Sequence, residues 1–526
     1  MSSALRTVFR VALLLYVAWG LLYIARTSFD VDGHRVFSLW DDGMVSMRHA
    51  RNLAIGKGLV WNPGEAVEGI SNLGVTLVMA GIHLLPLDRA NTSLVFQLLN
   101  LAGLAGCIAL IWSIARRVFD SELAGLTAAL GAMACAPLAV LGLQGTDVTA
   151  ICLIVLLACN RIVRATARGS AWPSDVYAIL ACGLVCRLDF LVVYLVFVAA
   201  SPAFERGRAS LSTGLLVLAL TLGAILGFQR VYYGDALPNT YYLKMTGTPV
   251  HLMIAHGLRQ QASYFGKSAL AVAVTLAALL AWQRADRRLW LFGGIVAGLM
   301  AYDIRAGGDW LSEYTSRFFA PALPLLIITC AGATVRVFER LLLRSDRSAG
   351  APASGGFTPV QSIVCVAFGV IACAQFNAPV AFWEWVNLRK ETMMRLDNAA
   401  NVRLARYLAA HTDEDTTVAV HYAGVPAYFL DRRMIDVLGK SDKHIARQVV
   451  ADFMPGHSKW DWSYVLEDRR ADIIDFRDRG RGLDEREDFR NLYTQVSAGG
   501  VEFVIRKDSL SKLHDPAATL SAIAVP

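Results

Sequence analysis

Long apolar runs, separated by short arginine-rich connections, fill the first 383 residues of the chain. A helix needs about 20 apolar residues to cross a bilayer, fewer where flanking arginines reach the interface. Runs near residues 9–27, 93–115, 122–143, 147–163, 176–187, 189–203, 211–229, 268–283, 289–304, 318–335 and 361–382 are candidate spans. The stretch Leu73 to Leu87 decides the topology. If it crosses, Arg116, Arg117 and every later basic cluster fall outside. If it lies along the outer surface, Arg116/Arg117, Arg161/Arg164/Arg168, Arg206/Arg208, Arg284/Arg287/Arg288 and Arg336/Arg340/Arg344/Arg347 all become cytoplasmic. The positive charge expected on inner loops favours the second arrangement. It leaves about eleven spans, an odd number, which puts the chain after Trp383 outside.

After Trp383 the pattern changes to mixed charged and apolar positions, with strand-like runs at Thr417–His421 and Val501–Ile505 and helical spacing over Met394–Ala410. About 140 residues is enough for a small α/β domain. The predicted organisation is an all-α polytopic membrane domain over residues 1–383, with a first outer loop at 27–92, followed by an outer α/β domain over 384–526. The serine- and glycine-rich piece Ser345–Gly356 reads as a cytoplasmic linker.

Composition agrees. With 55% hydrophobic residues and a mean hydropathy of +0.44, the 526-residue chain carries more apolar sequence than a soluble protein could bury. A net charge of +7 would suit nucleic acid. The arginines sit between apolar runs, however, so the charge reads as topology and no nucleic-acid partner is expected. All nine cysteines lie within or beside apolar stretches, which indicates neither a disulfide framework nor a zinc site. Arg6 and Arg10 before the run Val11–Ala25 look like a signal peptide, but no small-x-small cleavage site follows, so a retained anchor is expected.

The outer loop from Thr27 to Asn72 is long for a connection between spans and rich in polar residues, and such loops usually carry function. Its run WDDGMVSMRHARNLAIGKGLVWNPGEAVEGISN (Trp40–Asn72) resembles the first loop of bacterial membrane glycosyltransferases of the GT-C class, especially arabinofuranosyltransferases that use polyprenyl-phospho-arabinose. The shared pattern is Asp-Asp, Arg-x-Ala-Arg-Asn-Leu, Gly-x-Gly-Leu-Val, Asn-Pro-Gly and Glu-Gly-x-Ser-Asn. Further matches are LPNTYYLKMTG (Leu237–Gly247), GGDW (Gly307–Trp310) before SRFFAPALPLL, and IDVLGKSDKHIAR with MPGHSKWD in the tail. Gly43-Met44 departs from the pattern, since the family commonly has an aromatic residue after the aspartates.

The resemblance implies a GT-C membrane domain with interfacial helices in the first outer loop, a periplasmic C-terminal domain, and residence in a bacterial inner membrane. It implies metal-independent, inverting transfer of a sugar, D-arabinofuranose first, from a polyprenyl-phosphate donor to a glycan or to a protein such as pilin. No cofactor is expected, and a divalent metal is left open. Alternatives are a hexose, mannose or aminoarabinose transferase on the same scaffold, a lipid or solute transporter, and a non-catalytic scaffold.

The chemistry fits the residues. A sugar on a lipid phosphate is already activated, so the enzyme needs a base for the acceptor hydroxyl and cations for the departing phosphate. Asp41 or Asp42 supplies the base; the competing reading is that they cap the helix beginning near Gly43. On an extended segment only one of the two would face the sugar. Arg48, Arg51, Lys244, Arg317 and Arg187 are candidate phosphate partners. Against that role, Lys244 is also placed to snorkel, Arg317 to pair with Asp309, and Arg187 with Asp189 to mark an outer turn. Asp147 can cap the next helix. Sugar or acceptor contacts are expected from Glu68, Asn72, Tyr241, Tyr242, Asp309, His444 and His457. The spacing of His421, His444 and His457 gives no metal motif, and Asp436 and Asp442 read equally well as solvated charges.

Overall fold

The computed structural model describes residues 2–204, 207–268, 286–309, 316–348, 357–386, 392–450, 453–475 and 481–523. The span expected near 268–283, Trp310 of the GGDW motif and linker residues 349–356 lie outside these. Two compact units emerge: Met1–Ile24, Gln97–Ala224 and Val250–Lys390 form the first, and Ala25–Phe96, Ile225–Pro249 and Glu391–Pro526 the second.

Among the described residues six helices are long and apolar enough to cross a membrane: Ser3–Thr27, Arg89–Val118, Val148–Ala167, Ser210–Tyr233, Arg287–Ala306 and Ala320–Leu341. A seventh crossing arises if Glu122–Met133 and Ala136–Leu143, which meet at 52°, count as one span. The break has a local cause, because Pro137 in the first turn of the second piece has no N–H to continue the ladder. Val176–Cys186, Leu188–Ala203 and Pro359–Ala374, expected as spans, are shorter apolar helices. Leu73–Ile82 has ten residues and so rises about 15 Å, half the hydrocarbon thickness, as an interfacial helix would. Helix Val250–Lys267 was not expected, because its charged positions interrupt every apolar window.

The second unit is built on a six-stranded sheet of order β4-β3-β5-β7-β6-β8. Its strands are β3 (Thr417–Val420), β4 (Arg433–Asp436), β5 (Ile473–Ile474), β6 (Tyr493–Ala498), β7 (Val501–Arg506) and β8 (Thr519–Ser521); β1 (Phe29–Val31) and β2 (His34–Val36) form a separate hairpin. β3 runs parallel to β4 and β5, and the remaining pairs are antiparallel. Both expected strand runs are strands, and the helical run appears as Arg395–His411. Alternation sorts the two faces. Val418, Val420, Val501, Phe503 and Ile505 enter one core with Leu404 and Leu408 of that helix, while Ala419 and Val504 enter another with Ile435 and Val465. The first of these cores also contains Val45, Trp61 and Ile70. The loop after the first helix and the C-terminal sheet, far apart in sequence, therefore share one hydrophobic interior.

Candidate active site

Asp41 and Asp42 open helix Asp41–Ala54, with Trp40 at the cap position and no side-chain cap bond. They occupy a helical first turn, where negative charge is favourable, rather than the extended segment expected. Asp41 Oδ1 instead accepts the backbone N–H groups of Gly424 at 2.9 Å and Val425 at 3.0 Å. Those groups start helix Val425–Phe429, so Asp41 caps that helix and not its own. The approach requires glycine at 424, where a Cβ would come within 2.7 Å of Asp41 Oδ1. Burial raises the Asp41 carboxyl to about 7; the Asp42 charge adds to the rise, while the two backbone N–H groups and Lys440 oppose it.

Asp42 forms an ion pair with Lys440. The loop carrying that lysine is fixed from beneath by Asp436, which accepts from the N–H groups of Leu438 at 3.1 Å and Ser441 at 2.6 Å. Asp436 is buried, and desolvation raises it to about 6. From the opposite side Asn239 Nδ2 donates to the carbonyls of Gly439 at 2.9 Å and of Lys440 and Asp442 at 3.1 Å, while its N–H reaches Glu68 O at 3.1 Å. Three motifs distant in sequence thus converge: Glu68-Gly69, Asn239 to Lys244, and Gly439 to Asp442.

Lys244 lies in the last turn of helix Asn239–Met245, beside Gly456. Neighbouring His457 is lowered chiefly by burial; the charges of Asp42, Lys244 and Arg481 also act on it, which places it among them. Lys459, fully buried, anchors the region by donating to Tyr242 O at 2.9 Å, Ala446 O at 2.7 Å and Thr246 Oγ1 at 3.4 Å. Tyr242 carries the Arg447 guanidinium 4.1 Å above its ring, and Tyr241 beside it is exposed. Asp41, Asp42 and Lys440 therefore form one charged cluster in the second unit, with His457 set between the charges of Asp42 and Lys244. Sequence reading missed Lys440, Asn239 and Lys459, although all three sit in motifs it had singled out.

Other candidates are placed as supports. Buried Arg48 uses all five guanidinium N–H groups on Trp61 O, Ala427 O, Leu430 O, Arg432 O and Asn62 Oδ1, which leaves none for a phosphate. Arg51 is bidentate to Asp431 at 2.8 and 3.1 Å. Asn72 Oδ1 accepts from Ser46 at 2.9 Å and Thr76 at 3.2 Å. His444 stacks on Tyr464 at 4.1 Å and meets Asp461 at 2.9 Å. Glu68 is buried with Gln229 Nε2 on Oε1 at 3.2 Å and no partner on Oε2 among the described residues; desolvation raises it to about 7.

In the first unit Arg187 Nη1 donates to both carboxylate oxygens of Asp147 at 3.1 Å, and the guanidinium also pairs with Asp189. Arg317 is held by Asp309 at 2.8 Å, and Arg187, Arg317 and Tyr302 line one small cavity. Gly307, at φ +83°, ends helix Arg287–Ala306 in the left-handed conformation, which turns the chain toward Asp309. A larger cavity of about 630 Å³ was not legible in the sequence; it is lined by His256, Arg259, Tyr264 and Lys267 on one face of helix Val250–Lys267. Among the described residues no carboxylate lines it, and Arg259 and Lys267 have no partner. Nor do the described residues contain a group of three His, Cys, Asp or Glu side chains arranged to hold a metal ion.

A family model described as "Domain of unknown function (DUF8728)" matches residues 387–512. Comparison with curated proteins gives no match. Among solved structures, ArnT from Cupriavidus metallidurans in the apo state is similar at TM-score 0.57 and 14% identity over 96% of this chain and 98% of that one. The same protein bound to undecaprenyl phosphate gives TM-score 0.58 and 12% identity over 96% and 99%. The apo oligosaccharyltransferase of Archaeoglobus fulgidus gives TM-score 0.58 and 11% identity over 97% of this chain and 76% of that one. At such identities the likeness establishes the fold alone, in keeping with the helices long and apolar enough to cross a membrane.

Proposed function

We propose that this chain is a GT-C glycosyltransferase that moves a sugar, D-arabinofuranose first, from a polyprenyl-phosphate donor to a glycan or to a protein such as pilin. The observation that carries this reading is the cluster of Asp41, Asp42 and Lys440, in which a carboxyl raised to about 7 sits near the lysine, with His457 between the charges of Asp42 and Lys244. The fold shared with ArnT, one structure of which holds undecaprenyl phosphate, supports a lipid-phosphate donor.

Asp41 is assigned as base, with Asp42 as the alternative. One Asp41 oxygen is held by Gly424 and Val425; the other takes the proton of the acceptor hydroxyl as that oxygen bonds to the anomeric carbon with inversion. The lipid phosphate leaves with the bonding electrons and needs positive charge. Lys244 supplies it, whereas Arg187 and Arg317 are already neutralised by carboxylates. The proposed topology puts the second unit on the periplasmic side of the inner membrane, so a reporter scan should find residue 117 inside and residues 57, 240 and 450 outside.

A second reading, transfer of aminoarabinose, is favoured by the likeness to ArnT. Transfer assays with defined polyprenyl-phosphate arabinose, aminoarabinose and mannose decide between donors. Turnover of none of them by the purified enzyme with membrane-derived acceptors would remove the proposal.

A further inference from the structure

A third cavity, of about 580 Å³, lies in the first unit at the ends of three candidate spans. Val118 closes helix Arg89–Val118, Thr166 sits in the last turn of Val148–Ala167, and Arg287 and Arg288 begin Arg287–Ala306. The ends of spanning helices lie at the level of lipid headgroups. The volume falls within the roughly 300–1,000 Å³ of ordinary ligand pockets.

The lining is amphiphilic, combining Trp172 and Phe204 with Ser170, Arg287 and Arg288. Arg288 is committed: it chelates Asp286, with bonds as short as 2.6 Å, and reaches toward the carbonyls of Arg117 and Val118 at 3.4 Å. Arg287 gives a single bond, to Ala203 O at 2.6 Å, and its other donors have no acceptor among the described residues. Among the described residues Asp286 is the one carboxylate in the lining, and Arg288 neutralises it, so these residues leave a net positive charge. Arg164 and Arg168 add to it: both are exposed, lie near Arg117, and have no partner among the described residues.

Trp172 gives the sharper indication. It is 6% exposed, packed against Phe204 at 5.0 Å, and its indole N–H has no acceptor among the described residues. A buried donor left unpaired is unfavourable, so such a group points to an acceptor that arrives with a ligand. A guanidinium with spare donors and an indole N–H on aromatic walls, at headgroup depth, match a phosphodiester oxygen whose acyl chains run into the bilayer. We propose that this cavity binds the headgroup of an anionic phospholipid, separately from the sugar-transfer site.

The test uses the purified full chain, stripped of lipid in detergent and titrated with phosphatidylglycerol, with phosphatidylcholine of the same acyl chains, and with glycerol 3-phosphate. Lipid retention is read by native mass spectrometry and heat stability by melting. Wild type should retain phosphatidylglycerol over phosphatidylcholine and gain melting temperature from it. Trp172→Phe keeps the ring and removes the donor, and Arg287→Gln removes the charge; each should weaken retention by about tenfold. Unchanged retention in both folded variants, or equal retention of the two lipids, overturns the proposal. Saturation by glycerol 3-phosphate at lipid-like concentrations also overturns it, since the ligand would then be a free phosphate ester. The Trp172→Phe change is conservative enough to report even if Arg287→Gln does not fold.

Discussion

Asp41 and Gly424, 383 residues apart, are joined by a 2.9 Å hydrogen bond from the glycine N–H to the carboxylate Oδ1. One carboxylate thus both begins the helix of the first loop and caps a helix of the C-terminal sheet. Asn can accept the same two N–H groups but cannot act as a comparable base. Asp41→Asn should therefore lower turnover by about a hundredfold or more with little change in melting temperature. Asp41→Ala should in addition lose about 1 kcal/mol of stability with the cap. Transfer from a synthetic lipid-phosphate sugar is the assay, and near-normal rates in both Asp41→Asn and Asp42→Asn would sink the assignment.

The same bond predicts the behaviour of residue 424. A methyl group there would meet the Asp41 carbonyl and carboxylate. Gly424→Ala should cost about 1–3 kcal/mol and reduce turnover although residue 424 contributes no side chain to the chemistry. An enzyme of wild-type activity and stability would show that the contact is dispensable.

Activity should have an acidic limb. With Asp41 raised to about 7, a base that must be ionised is lost as pH falls below that value, so kcat/KM should rise with pH through about 7. The Asp42 charge contributes to the rise. In Asp42→Asn, if activity survives, the limb should move to lower pH; a pH profile unmoved in that variant would separate the limb from this pair.

Stability should respond to pH in the opposite sense at Glu68. Its folded value of about 7 lies above the ordinary 4.5, so the folded state holds a proton that the unfolded chain releases between those values. The corresponding stability is complete below about 4.5, falls as pH rises, and is lost above about 7, amounting to about 3 kcal/mol at most. Glu68→Gln should abolish this slope and melt higher than wild type at pH 8 but not at pH 4. Parallel melting curves for the two proteins would contradict it.

Arg48 and Lys244, both expected from sequence to bind phosphate, should separate in a paired experiment. Arg48→Lys removes contacts to carbonyls in the interior and should cost about 3–5 kcal/mol. Lys244→Ala should leave melting nearly unchanged while apparent donor affinity falls about tenfold or more. Equal donor affinity in Lys244→Ala and wild type would remove Lys244 from the site.

The sequence by itself determined what its periodicity and local motifs encode. Apolar runs of bilayer length must be helices, because a backbone in hydrocarbon can satisfy its polar groups only internally. The alternation at Thr417–Val420 and Val501–Arg506 fixed two strands and which of their side chains face each core. The loop pattern around Asp41 marked where charged groups would collect. Tertiary structure alone decided partners and ionisation. Nothing near Asp41 in sequence announces Gly424, and nothing near Asp42 announces Lys440. Whether Arg48 meets a ligand or five protein oxygens depends on carbonyls from residues 427–432, brought in by folding. The physical reason is range: helix and strand propensity act over a few residues, whereas desolvation and charge pairing depend on which distant segments the shared core of Val45, Trp61 and the C-terminal sheet holds together.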